Sequence, residues 1–180
     1  MDSRYFRDPP ENRGGTILGS EQWRWLINEL TGSTADVHII ANGIQILPEE
    51  HPYEKWANYP SERQRLLQVI DALEVSNPIL ISGDRHIGEM SLVALPISGS
   101  PILEITSSGL THYYEDFKGE VNKHRINPVV ASINFATLVI SKTGRQINYE
   151  GSIRDGKNKK RSSVKKDELE ELLRMKERGQ

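Results

Sequence analysis

The chain has 180 residues, 36% of them hydrophobic, a formal net charge of −2 and no cysteine. That length suits a single domain with a core of useful size, and the lack of thiols excludes disulfides, thiolate metal sites and thiol nucleophiles. Near-balanced charge gives no general reason to expect a nucleic-acid partner, and no run of about 18 apolar residues is present to span a membrane.

Residues 1–6 are too short and too charged to define a strand, and they end at the turn Asp8-Pro9-Pro10. The stretch MDSRYFRDPPENRGG has no apolar segment of the kind a signal peptide needs. Ser20 is positioned to cap a helix whose apolar stripe is Trp23, Leu26, Ile27 and Leu30, at i, i+3, i+4 and i+7. Trp23 and Trp25 fall on different faces, one suited to the core and the other to its edge. Residues 37–40 form a short buried-strand pattern leading to Asn42 and Gly43, then to Ile44 and Gln45. Residues 49–58 are an acidic, aromatic loop that reads either as a flap over a site or as a cover for the core. Ser61 and Gln64 have capping-box spacing ahead of a second helix with the stripe Leu66, Leu67, Ile70 and Leu73.

The stretch from Pro78 to Ser91, PILISGDRHIGEMS, is the one on which the rest converges. Ile79 to Ile81 is a continuous apolar run, the pattern of a strand covered on both faces. It leads to Gly83, where the backbone can turn sharply, then to Asp84 and His86. Ligands of open α/β sheets bind just past the carboxyl ends of strands, where these two residues fall. A neutral imidazole ligates zinc, iron or manganese, and a neighbouring carboxylate can share the ion or orient the ring. The alternative is an ordinary turn with Asp84 as turn former and His86 on the surface. Strand and helix alternate up to residue 83, which argues for βαβ units and a parallel sheet.

Strand patterns then follow at 91–97, 102–106 and 135–141, and residues 145–153 alternate like an exposed strand after a hairpin turn at Lys142-Thr143-Gly144. Thr106-Ser107-Ser108-Gly109 ends one of these strands, as an anion-facing loop or a simple turn, and His112 follows shortly. The basic run GKNKKRSSVKK reads as a solvated tail, with anion or nucleic-acid binding the weaker alternative. A short helix after it carries Leu169, Leu172 and Leu173.

Taken together, these blocks resemble the carboxyl-terminal part of the PhoD-like phosphatases, the alkaline phosphatase D branch of the metallophosphoesterases. The likeness covers roughly residues 1–140 and lies in several blocks in one order. Asp2, Ser3 and Arg4 resemble a family strand end; Leu18, Gly19, Gln22 and Trp23 resemble a helix start; IIANGIQILP, EKWANYPSERQRLL, SGDRHIGEMS and EITSSGLTHYY follow. The resemblance implies an α/β fold, the second half of a metallophosphatase-type αββα sandwich with mixed sheets and flanking helices. It implies hydrolysis of phosphate esters by a water activated on divalent or trivalent metal ions, whether calcium, iron, zinc or manganese.

Carried over residue by residue, the resemblance makes His86 a metal ligand and Asp84 a weaker candidate. Arg4, Asn42 and Gln45 become candidates for substrate contact, and no catalytic residue is assigned. Asn42 stands near where related enzymes place a ligand histidine. Two aspartate-rich upstream blocks of the family have no counterpart here. The expectation is therefore a partial family domain over residues 1–154 and a basic linker with a short helix over 155–180. Such a chain would be truncated, would lack an amino-terminal half and would be inactive alone. Full-length relatives are commonly exported, periplasmic or extracellular. A non-catalytic remnant or binding domain that keeps the fold's second half is the alternative.

Overall fold

The computed structural model describes residues 1–12 and 14–179. Helix α1 (Gly19–Gly32) forms on the expected stripe, with Trp23 and Leu26 buried and Trp25 half exposed. Ser20 does not cap it. Leu18 holds the cap position, and the Gly19 N–H donates to Thr16 Oγ1 at 2.8 Å.

Helix α2 (Pro60–Ala72) starts at a proline, whose fixed φ suits a first turn. No side-chain cap forms there, so the Ser61–Gln64 box is not made. Glu62 turns inward instead. Its Oε2 accepts from Thr16 Oγ1 at 2.8 Å, Ile17 N–H at 2.9 Å and Trp23 Nε1–H at 2.7 Å, joining both helices to the segment before α1.

The first sheet contains β1 (His38–Ala41), β2 (Pro78–Ser82), β3 (Gly88–Ala94) and β4 (Pro101–Ser107) in the order β1-β2-β4-β3. β1, β2 and β4 are parallel, and β3 returns antiparallel to β4. The parallel expectation therefore holds, and one more strand joins it. Alternate residues of this sheet serve two cores. Ile40, Leu80 and Ile102 pack with α1 and α2 on one face, while Ile79, Leu103 and Ile105 face a second layer. Each such aliphatic side chain contributes about 1.5–3 kcal/mol on full burial.

That second layer is the antiparallel sheet β5 (Asn134–Thr143), β6 (Gln146–Asp155) and β7 (Lys160–Lys165), with helix α3 (Leu169–Arg178) against β3 and β4. β6 was expected to be exposed; Ile147, Tyr149 and Ile153 instead point into the second core. Gly151 on the same face lies so close to the first sheet that a Cβ would sit 2.6 Å from Ile105. The basic run is not a solvated tail. Lys160–Lys165 pairs with β6, burying Ser162 and Val164 while Lys160, Arg161 and Lys165 remain outside. Two stacked sheets result, with α1 and α2 on the outer face of the first and α3 at its flank, the arrangement of a partial sandwich.

Candidate functional site

The parallel strands bring three chain segments to one end of the first sheet: residues 42–47 after β1, 83–87 after β2, and 108–112 after β4. Residues 1–7 and the loop 49–54 border them. Ligand sites of open α/β sheets form at such ends because loops diverge there from a rigid scaffold.

The turn after β2 is not made by Gly83. Asp84 (φ 69°) and His86 (φ 53°) both occupy the left-handed region, which side chains other than glycine rarely adopt. Two such residues in three positions store strain of order 1 kcal/mol each, a pattern concentrated at functional loops. Arg85 between them is what holds the turn. It is only 5% exposed, is ion-paired with Glu120 and has its guanidinium 4.1 Å from the Tyr53 ring centroid. With Arg85 anchored inside, Asp84 and His86 are left on the surface.

His86 N–H donates to Ser108 Oγ at 2.7 Å, so the hydroxyl-rich end of β4 secures the histidine's backbone. The His86 ring meets His112 edge-on, with centroids 4.1 Å apart. Asp84 Oδ1 accepts from Arg4 Nη2 at 3.0 Å, and the same nitrogen lies 2.6 Å from Glu54 Oε2. The loop 49–58 serves both of the purposes considered for it. Trp56 is fully buried in the first core, while Glu54 and Tyr53 border the site.

Asn42 and Gln45 lie beneath this surface. Asn42 Nδ2 donates to Ile44 O at 2.6 Å, and its Oδ1 has no partner among the described residues. Gln45 is fully buried, with Nε2 donating to Glu89 Oε1 at 2.6 Å and to Thr106 Oγ1 at 2.9 Å. Glu89 is balanced by Arg125, 2.7 Å away. Glu104, also fully buried, accepts from the N–H groups of Ile46 and Leu47 at 2.8 and 2.7 Å, which fixes the segment carrying Gln45. Burial raises the Glu104 carboxyl to about 7, outweighing those two hydrogen bonds, which favour the charged form.

Burial, with the positive charges of Arg85, Lys55 and Arg125 nearby, holds His51 down to about 3, so its imidazole is neutral. His51 Nδ1 accepts from Tyr53 N–H at 3.2 Å, which places the ring proton on Nε2.

Sequence reasoning placed His86 and Asp84 at this surface but did not assign a role to His112 or Arg85. The signal for His112 lay in topology: a histidine five residues past the end of β4 becomes a neighbour of His86 only because β4 runs parallel beside β2. Among the described residues, no group of three His, Asp or Glu side chains could hold a metal ion. His86 and His112 form a pair, and Asp84 is engaged by Arg4. Catalytic metal sites take three or more protein ligands, so this donor set does not fit a two-metal centre.

A model of the PhoD-like phosphatase family matches residues 1–169. Alkaline phosphatase D of Bacillus subtilis (strain 168) is 28% identical over 107 residues, covering 48% of this chain and 18% of that protein. A solved structure of PhoD shares the fold with a TM-score of 0.58 at 20% identity, over 91% of this chain and 41% of that one. The chain thus spans less than half the length of either relative.

Proposed function

The chain belongs to the PhoD-like phosphatase family, and on that premise we propose that it contributes one side of a site that hydrolyses phosphate esters. The observation that carries this reading is the exposed His86–His112 contact at 4.1 Å, held on a strained turn at the end of β2. A phosphoryl group at this surface meets two imidazoles able to hydrogen-bond its oxygens and the half-exposed Arg4 guanidinium, whose charge is shared with Asp84 and Glu54. In the reaction, a water oxygen forms the new bond to phosphorus and the ester P–O bond breaks. One imidazole of the His86–His112 pair accepts a proton from that water while the other donates one to the departing alkoxide, so the pair carries no net proton change.

The metal-activated water implied by the family resemblance needs ligands beyond this imidazole pair. The chain alone is therefore inactive in this reading, and its histidines act when further donors are brought beside them. The test is hydrolysis of bis(4-nitrophenyl) phosphate with zinc, manganese, calcium or iron supplied. It is run with and without the part of Bacillus alkaline phosphatase D that lies outside the matched region. Turnover should appear only in the mixture and fall about 100-fold in His86→Ala and His112→Ala. Unchanged turnover in both variants would remove their role, and no turnover in any mixture would favour a non-catalytic binding domain.

A further inference from the structure

We propose that a second site, at the end of the first sheet remote from His86, binds a linear polyamine: two or more ammonium groups joined by methylene chains. The proposal is independent of the functional reading above.

The parallel strands leave a cavity of about 700 Å³ at their amino ends, where Pro78 opens β2 and Pro101 opens β4. Small-molecule sites are of this size, roughly 300–1,000 Å³. The apolar walls come from both layers of the fold: Ile70 of α2, Leu95 after β3, Ile147 of β6 and Leu169 of α3, all buried.

Tyr149 gives this cavity a hydrogen-bonding point. It stands on the inner face of β6 between Ile147 and Gly151, lines the cavity and is 6% exposed. Its hydroxyl has no partner among the described residues, whereas a tyrosine buried this far usually has one. Burial pushes the phenol up to about 12, so it stays neutral and its oxygen can accept from an ammonium N–H.

Charge decides the sign of the ligand. Four carboxylates line the cavity against one ammonium, Lys166, whose Nζ donates to Ile147 O at 3.1 Å. Asp71 is held within the fold by the N–H groups of Ile97 and Ser98. Glu74, Asp167 and Glu170 are exposed and make no ion pair among the described residues. They come from different elements. Glu74 follows α2, on a turn closed by Val75 N–H donating to Ile70 O at 3.1 Å, while Asp167 and Glu170 lie at the start of α3. Two acidic poles therefore flank an aliphatic floor. An anion is repelled there, and a neutral apolar molecule gains nothing from the carboxylates. A polyamine lays its methylenes on the floor, one ammonium toward each pole, and an N–H on the Tyr149 oxygen. A compact divalent cation could pair with the carboxylates but would use neither the floor nor that hydroxyl.

The test is calorimetric titration of the full chain with spermidine, against magnesium and 1,6-hexanediol as references. One site per chain is expected for spermidine, with no measurable binding of the diol and no displacement by magnesium at equal ionic strength. Tyr149→Phe should weaken spermidine about tenfold, the effect of losing one hydrogen bond to a charged group. Glu74→Gln combined with Asp167→Asn should weaken it by about tenfold or more, with an unchanged melting temperature because both side chains are exposed. Unchanged affinity in either variant overturns the proposal, as does binding that magnesium displaces equally, which would reduce the site to an acidic surface. If Tyr149→Phe lowers the melting temperature, the exposed double variant decides the matter alone. Spermidine binding in a chain that never supports ester hydrolysis leaves this site standing and counts only against the functional reading.

Discussion

The helix-covered face of the first sheet and the loop surface at its carboxyl end use polar residues in opposite ways. On the helical face, Glu62 has three donors on one oxygen and Asp71 accepts from the N–H groups of Ile97 and Ser98. These carboxylates are fixed by the fold's own donors. At the strand ends, His86 and His112 are exposed, Asp84 and His86 are strained, and Asn42, His51 and Arg85 each keep a buried polar atom with no partner among the described residues. The first region holds the scaffold together; the second has hydrogen-bonding capacity left for something else.

The contrast is broken most forcefully by Glu62→Leu. It leaves the Ile17 and Trp23 donors buried without an acceptor, and urea unfolding should show a loss of about 3–5 kcal/mol. Glu104 gives the next effect, through pH. Its folded-state pKa of about 7 exceeds the ordinary 4.5 because burial disfavours the charge. Its stabilising contribution is therefore complete below about 4.5 and is lost as pH rises through about 7. Relative to a Glu104→Gln variant, wild-type stability should fall by on the order of 3 kcal/mol across that window; the variant is the reference because His51, held down to about 3, adds the opposite slope to both curves. Parallel wild-type and Glu104→Gln curves between these pH values would contradict that account of Glu104.

Arg85→Met tests the link between the two regions. It removes the buried partner of Glu120 and the anchor of the turn, and should cost about 2 kcal/mol in thermal unfolding. It should also broaden the His86 ring resonances, which a purely local packing loss elsewhere would not do. His86→Gly lies at the small end and has the opposite sign. Glycine accepts φ 53° without strain, so stability should rise by about 0.5–1 kcal/mol. A loss of stability there would mean the turn is not strained.

Much of the scaffold was legible in sequence. Period-3.6 stripes located α1 and α2, and the apolar runs at 79–81 and 102–106 located β2 and β4, because these patterns report burial directly. What escaped depended on distant partners. Ser61 has the spacing of a cap, but no side chain caps the helix; Glu62 turns inward instead, and its partner Trp23 lies 39 positions away. β7 was hidden because its inward residues, Ser162 and Val164, sit among lysines and arginine that point outward. At the site, the position of His86 was readable from the strand before it, but its neighbour was not. His112 reaches it only through the β2–β4 pairing, and the turn expected at Gly83 is made by Asp84 and His86.

The most direct measurement pairs thermal unfolding with ester hydrolysis in the complemented mixture, on wild type and His86→Ala. The melting temperature should stay within about 2 °C, equivalent to roughly 0.5 kcal/mol for a chain of this size, while turnover falls about 100-fold. A large drop in melting temperature with turnover retained would make His86 part of the scaffold and would contradict the division between the two regions.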